Sequence, residues 1–428
     1  GHSNNYAATL GGPVRIPKLY NGRDRLFFFF SYNGFQDRKP EEPSAINRTV
    51  PTLADRQGDF APHALVDPVR YAVHDPLSVR PAPARATHYI RDAFPNNRIP
   101  ASRMNLNPMY PHYAKIFPAP NNNPASGRAP RNNYLATGTP VNWDYDAYAT
   151  RLDYQLAEKH KFFGRWTWND FLEDRGDWTY ETARGLHANG LNRHNLGATV
   201  DYVYTLNPTT ILNFAAAGNE FREGNVRPVP QRYQPSDVGL PAYLDQKAAP
   251  YTLLPQVSVA GYQQISEGYP GFTRYRMLTG KTDLAMIRNK HSLHAGFDAR
   301  GHFRTSFSPG TAAGSFTFSN TYTRRNDDGN TPAGDFGLSW AAFILGLPNG
   351  LSVATNDSYA THNPYRAWFV QDTWRLTPQL SLTLGLRLEY EGGVTERYNR
   401  ELGGFDPAAK LPISDAAEAA YRTRPLAE

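Results

Sequence analysis

Leu380-Ser-Leu-Thr-Leu-Gly-Leu-Arg-Leu-Glu-Tyr390 has an apolar residue at every even position and a small or polar residue at every odd one. A period of two without a defect describes a β-strand whose faces meet different media, because successive side chains point to opposite sides. Leucine is an ordinary strand former, so the pattern decides here and propensity does not. The odd face carries Arg387 and Glu389 opposite a row of leucines. Roughly 10 residues is also the length a tilted strand needs to cross a bilayer. A transmembrane barrel strand and a strand of a soluble sandwich both fit this one segment, so the choice rests on the rest of the chain.

The 428 residues suffice for one large barrel or for two or three soluble domains. Aromatic residues make up 13% of the chain and hydrophobic residues 40%, with a mean hydropathy of -0.59. A helical membrane protein is excluded: no run of about 18 apolar residues exists, and Leu26 to Phe30 is far too short. Many aromatics on a polar average suit a barrel with a wet lumen, wet loops and aromatic girdles. They also suit a secreted β protein that binds or hydrolyses carbohydrate. Cysteine is absent, which removes disulfides, thiol chemistry and thiolate metal sites. The net charge of +6 comes from 45 basic and 39 acidic residues mixed along the chain, so nothing points to nucleic acid. Gly1 to Tyr6 lacks the apolar core of a signal peptide, so an exported protein would carry its signal ahead of this chain.

Alternation and turn chemistry predict a series of hairpins. A weak first strand, Asn5 to Gly12, is followed by the aromatic strand Arg25 to Phe35, so that residues 1–36 form a first barrel hairpin. Residues 37–143 read as a long outer loop region, rich in Pro and Asn, with one short helix over Arg103 to Tyr110 capped by Ser102. Residues 144–391 read as barrel hairpins with long loops: Asp144 to Leu156 with Lys161 to Asp170, Asn192 to Leu206 with Ile211 to Phe221, Lys281 to Ile287 with Ser292 to His302, and Arg366 to Leu376 with the opening strand. Between them lie possible strands at Gln256 to Tyr262 and Gly314 to Ser319 and a helix near Asp335 to Leu345. Residues 392–428 form a loop or end region with a helix over Asp415 to Arg422.

Every second connection is short and the intervening ones are long, which is the asymmetry of outer-membrane barrels and is rare in soluble sandwiches. Leu293 to Arg300 also matches Leu382 to Glu389 position by position in polarity, with Gly296 and Gly385 on the polar face. Both segments follow a short turn and are expected to run the same way. An arginine on the lipid face at the midplane costs roughly 2–4 kcal/mol. The face bearing Arg151, Asp153, Arg165, Asp201, His294, Asp298, Arg300, Arg387 and Glu389 is therefore expected to line the lumen, as a polar track for a solute, a seat for an internal plug, or an ion-pair network that keeps the wall wet.

No motif supplies enzymatic chemistry, and neither a cofactor nor a metal site is expected. Gly280-Lys-Thr282 resembles the end of a phosphate loop, but Tyr275 stands where the partner glycine belongs. His291 and His294 fall on opposite faces of a strand and cannot share a metal. Arg175-Gly-Asp177 is a short tripeptide in a polar link. Asn326-Asp-Asp-Gly-Asn330 reads as a turn, since the spacing and closing Glu of a calcium loop are missing. Loop tyrosines Tyr71, Tyr89, Tyr233, Tyr243, Tyr262 and Tyr269 are candidates for stacking on a ligand.

Leu10-Gly-Gly-Pro-Val-Arg-Ile-Pro-Lys-Leu-Tyr-Asn-Gly-Arg-Asp-Arg-Leu-Phe-Phe-Phe-Phe-Ser-Tyr-Asn-Gly34 resembles the start of the barrel in TonB-dependent outer-membrane receptors of the Oar-like type. Val50 to Phe60, Asn97 to Ser102, Asp153 to Arg165, Lys290 to Asp298 and Phe369 to Pro378 resemble the same family. The resemblance implies an all-β fold, an antiparallel transmembrane β-barrel with long irregular outer loops and short helices, in the outer membrane of a Gram-negative-type bacterium. It implies outer-membrane lipid as a partner and energised uptake of a solute such as an oligosaccharide, peptide or metal chelate. The TonB complex would act through a plug, and neither a plug nor a TonB box is found here. Roughly 10 secure strands against the roughly 22 of plugged transporters lead to the expectation of a partial barrel, an internal fragment of such a receptor.

Overall fold

The computed structural model describes residues 1–40, 45–83, 85–104, 106–122, 131–137, 140–175, 190–226, 234–249, 254–265, 271–354, 358–400 and 404–423. Long strands of 11 to 18 residues lie in chain order in one antiparallel sheet. They are β1 (His2–Pro13), β2 (Leu26–Lys39), β3 (Val141–Ala157), β4 (His160–Arg175), β5 (Gly190–Asn207), β6 (Thr210–Val226), β7 (Phe272–Arg288), β8 (His291–Phe307), β9 (Tyr359–Arg375) and β10 (Ser381–Glu391). Thr395–Glu396 adds a short strand against β9, just past the end of β10. Among the described residues β1 pairs only with β2 and β10 only with β9, so the sheet does not close on itself. β8 and β10 both flank β9 antiparallel and so run the same way, as their matching patterns predict.

The short connections use the turn chemistry that tight hairpins need. Asn289, between β7 and β8, sits at φ 55, a left-handed conformation that asparagine tolerates better than most residues. The strands run farther outward than alternation indicates: β7 starts at Phe272 rather than Lys281, and β9 at Tyr359 rather than Arg366. Beyond the apolar band both faces are wet, so the side-chain pattern fades while the backbone ladder continues. Gly296 has a packing reason on its face, because the Phe369 ring of β9 covers it and a Cβ there would stand 2.5 Å from that ring.

The long connections are not separate loops. Segments between β2 and β3, β6 and β7, and β8 and β9 fold into one outer domain with its own core. Trp340 is 0% exposed at its centre, edge-on to Phe117 at 5.2 Å and Tyr110 at 6.0 Å, with Tyr262 at 5.4 Å. Three residues of the Asn-rich stretches are buried and act as backbone staples. The Asn97 side chain donates to the carbonyls of Phe60 (2.7 Å) and Tyr71 (3.1 Å) and accepts from the Val73 N–H (2.7 Å). Asn133 does the same for both backbone groups of Val50, and Asn107 donates to the Phe343 carbonyl across connections at 2.6 Å. A buried His63–Asp55 pair at 2.5 Å, edge-on to Phe336, joins the first and third connections. These side chains satisfy backbone groups that irregular chain would otherwise bury unpaired.

The helix expected over Arg103 to Tyr110 is displaced. Ala101–Arg103 forms a single 3-10 turn, and the helix runs over Tyr110–Ile116. Pro108 rules out a helix through it, and Asn107 turns the chain ahead of the later one by accepting the Met109 N–H at 3.0 Å. The helix near Asp335 is present as Asp335–Ile344, with non-helical Phe336 and Gly337 inside it. The one over Asp415 to Arg422 is present as Ser414–Thr423.

Replacing Trp340 with Ala should cost the outer domain about 3–5 kcal/mol. In the full-length protein the expected result is faster protease cleavage in all three connections while heat-modifiable migration of the barrel is kept. A second outcome concerns Glu396, whose carboxylate takes N–H groups of Ala360, Tyr398 and Arg400 and the Arg400 guanidinium. The Arg400 hydrogen bond, with these backbone donors, holds it down at about 2 from its ordinary 4.5. A lowered folded value means its contribution is complete above pH 4.5 and is lost as pH falls toward 2. Relative to the intrinsic exchange rate at each pH, amide protection at Ala360 and Tyr398 should fall as the pH drops from 4.5 toward 2, and Glu396→Gln should flatten the dependence.

Candidate functional site: the polar face of the sheet

In an antiparallel ladder directly opposed residues share a face, so the register places each side chain. Arg151 lies opposite Arg165, and Asp153 and Asp201 both lie opposite Phe163. Arg165 continues through Thr199, Ala217 and Thr279 to Arg300, and from there through Tyr365 to Glu391. Asp298 and Glu389 are both opposite Ala367, His294 is opposite Gln371, and Arg387 is opposite Phe369. All nine residues singled out from the sequence therefore stand on one face.

That face has a repeated local device, an arginine and a carboxylate two residues apart on one strand. Arg151 donates to Asp153 at 2.6 and 2.7 Å, Arg300 to Asp298 at 2.5 and 3.1 Å, and Arg387 to Glu389. The side chains keep between 16% and 51% of their exposure. Arg165 and His294 are exposed and have no carboxylate at ion-pair distance among the described residues. Asp201 accepts from Asn213 at 3.1 Å, and Asn195 donates to Asn169 at 2.7 Å.

Sequence reasoning missed the aromatic partners of these charges. Phe163 lies 4.2 Å from the Arg151 guanidinium and Tyr365 lies 5.1 Å from that of Arg300, while the Tyr365 hydroxyl accepts from Arg387 at 3.0 Å. Parity alone assigns Phe163 to this face. Tyr365 lies one residue ahead of the expected start of β9 at Arg366.

The opposite face exposes an apolar band. Leu386 is 71% exposed and Leu388 64%, with Val370 and Trp368 exposed directly opposite them and Leu278, Val200, Trp166 and Leu152 exposed on the same face farther along the sheet. Toward the short turns the band ends in ring stacks, His160 on Tyr204 at 4.6 Å, Phe162 on Tyr202 at 4.4 Å and His291 on Trp374 at 5.4 Å. A soluble sandwich would bury this face.

The remaining motifs resolve as structure. Gly280 to Thr282 lies inside β7, and His291, held by Asp372 at 2.6 Å, is on the face away from His294. Asp328 closes the turn at Asn326 to Asn330 by accepting the Thr331 N–H, and Asp327 pairs with His88 at 3.0 Å. Gly176 and Asp177 lie outside the described residues. Among the described residues no cluster of His, Asp and Glu is placed to hold a metal ion. Of the loop tyrosines, Tyr71 is buried in the outer domain and Tyr262 is half-buried against its core. Burial pushes the Tyr262 hydroxyl well above 10, and it accepts the Gly337 N–H at 3.0 Å. Tyr89 carries Arg91 over its ring at 4.2 Å, and Tyr243 is exposed. Tyr233 and Tyr269 lie outside the described residues.

A family model described as an outer membrane beta barrel domain matches residues 1–424. No curated protein matches the chain. Among solved structures the chain is similar to the outer membrane transporter YddB from Escherichia coli, at 9% identity and a TM-score of 0.39, over 92% of this chain and 35% of that one. It is similar to the ferric-catecholate import receptor Fiu from E. coli K12, at 9% identity and a TM-score of 0.32, over 90% of this chain and 51% of that one. A variant of the ferric enterobactin receptor PfeA from Pseudomonas aeruginosa matches at 9% identity and a TM-score of 0.35, over 92% and 38%. The chain thus spans between about a third and a half of the length of these solved proteins. With a membrane-facing band, a charged opposite face and a family match over nearly its whole length, the chain belongs to the outer membrane β-barrel domain family, and its sheet is barrel wall in the outer membrane of a Gram-negative-type bacterium.

Proposed function

We propose that the complete protein is a receptor that binds a polar solute at its outer domain and along its lumen and takes it up across the outer membrane. Uptake would be energised by the TonB complex acting on a plug. The observation that carries this reading is the set of exposed intrastrand pairs, Arg151–Asp153, Asp298–Arg300 and Arg387–Glu389, on the face away from the apolar band. Exposed pairs of this kind are worth only about 0–1 kcal/mol, so a passing solute can exchange with either partner at little cost. Guanidiniums beside Phe163 and Tyr365 suit anionic or hydroxyl-rich groups with a flat face to stack. An oligosaccharide, a peptide or a metal chelate fits that chemistry. The wall itself catalyses nothing in this scheme: it offers charges in series while a plug moves.

In a cysteine-free background of the full-length protein, single substitutions report on orientation. A bimane on Leu388→Cys in the full-length protein should be quenched by spin-labelled lipid, and one on Glu389→Cys by a water-soluble quencher. The reverse order would sink the lumen assignment. For transport, Arg300→Gln with Arg387→Gln should lower uptake several-fold while heat-modifiable migration is unchanged, and collapsing the proton gradient should abolish uptake by the wild type. Unchanged uptake in the double variant would remove the polar track from the mechanism.

A further inference from the structure

Farther from the short turns, the polar face between β4 and β8 changes character. One row runs Arg165, Thr199, Ala217, Thr279 and Arg300. The next is Thr167, Gly197, Asn219, Met277 and His302, and the third is Asn169, Asn195, Phe221, Tyr275 and Arg304. None of these positions holds an Asp or Glu, whereas the row on the turn side of them holds Asp201 and Asp298.

Small side chains shape this surface into two joined hollows. At Gly197 and Ala217 the wall sinks into a hollow of about 450 Å³ lined by Thr167, Asn169, Asn195, Thr199 and Asn219, with Arg165 among them. A Cβ at Gly197 would stand 2.7 Å from the Thr167 hydroxyl, so any larger residue would fill that floor. A second hollow of about 330 Å³ shares Asn219 and Met277 with the first and is lined by Phe221, Tyr275, His302 and Arg304. There Phe221 and Tyr275 stack at 6.3 Å, and the Arg304 guanidinium lies 5.5 Å from the Tyr275 ring and 5.3 Å from that of Tyr359.

The side chains state what would fit. Amides and hydroxyls offer donors and acceptors to an uncharged, hydroxyl-bearing ring, and a stacked aromatic pair offers a flat surface to the apolar side of such a ring. Arg300 is held by Asp298 from the row below, but Arg165 and Arg304 have no carboxylate at ion-pair distance among the described residues. Those two arginines are four strand spacings apart, roughly 19 Å across the sheet, and four residues apart along the strands, roughly 13 Å. One compact anion cannot meet both. A ligand that does is extended, rich in hydroxyls and anionic at intervals.

We propose that these hollows bind an acidic oligosaccharide, with sugar carboxylates on Arg165 and Arg304, hydroxyls on Asn169, Asn195 and Asn219, and a ring against Phe221 and Tyr275. The assignment rests on the uptake reading, because it takes this face as the path of the solute, and it narrows that reading to one class. A compact metal chelate calls for cations gathered in one place. An acidic peptide would meet the arginines but has no set of hydroxyls for the amide-lined hollow.

The test is calorimetric titration of the full-length protein in detergent with three probes: a short galacturonic acid oligosaccharide, the same oligosaccharide with its carboxyl groups reduced to alcohols, and an oligoglutamate of similar length. Wild type should bind the acidic sugar about tenfold or more tighter than either other probe, as charge-assisted hydrogen bonds require. Arg165→Gln and Arg304→Gln should each weaken the acidic sugar about tenfold and leave the reduced sugar within about twofold, whereas Tyr275→Ala should weaken both sugars. Arg276→Gln, on the membrane-facing side, should bind as wild type does. Heat-modifiable migration reports folding, and if a Gln variant misfolds, Arg165→Lys and Arg304→Lys should keep the preference for the acidic sugar. Equal binding of the two sugars, tighter binding of oligoglutamate, full affinity in both Gln variants, or loss of the preference in the Lys variants would each overturn the proposal. Titration needs no energised membrane, so the two readings fail separately: uptake of another solute without acidic-sugar binding sinks this proposal, and binding without uptake sinks the uptake reading.

Discussion

In hydrocarbon no backbone N–H or carbonyl can be left without a partner, so each strand of the wall must ladder with its neighbour along its whole buried length. That demand fixes more than the backbone. Once the ladder is continuous, every side chain inherits its face from the residue opposite it, and the alternation of Leu380 to Tyr390 is tied through β9 to Arg300 and through four more strands to Arg165 and Arg151. A slip of one residue anywhere would send whole rows to the wrong side, with roughly 2–4 kcal/mol lost for each arginine delivered to the midplane. The charges thus also act as a register device.

This is why the wall was legible in the sequence. Period two needs only local information, and Leu293 to Arg300 or Leu382 to Glu389 state it within one strand. The upper parts of the strands were not legible because water wets both of their faces, and nothing in Phe272 to Gly280 separates in from out as sharply. Pro364 lies inside β9. It is tolerated because β10 has ended at Glu391 and, on that side, its carbonyl takes only the Gly392 N–H, at 2.8 Å.

The outer domain escaped for a different reason. Its core joins residues far apart in the chain, as when Asn107 meets Phe343 or Tyr113 donates to the Pro255 carbonyl. Each Asn or Pro looked like a turn signal by itself, and such signals describe local geometry only. Asn97, Asn107 and Asn133 are instead buried hydrogen-bonding nodes, a role that composition cannot distinguish from an exposed turn. The loop tyrosines show the same ambiguity, since Tyr262 packs against the core and Tyr243 is in solvent.

The two kinds of cohesion have different consequences for a ligand. Arg300 and Arg387 are each paired with a carboxylate two residues away on their own strand and also reach Tyr365 on β9, so loss of either pair leaves the backbone ladder intact. The outer domain is cross-braced: Trp340 and Phe343 touch residues from the first and second connections at once, and removing one contact is felt by all three. A surface built on such a core presents its exposed side chains in fixed positions, which lowers the ordering cost of binding. In the proposed uptake, fixed recognition at the outside and loosely held charges along the wall would be complementary, because a solute must be selected once but released at each later step.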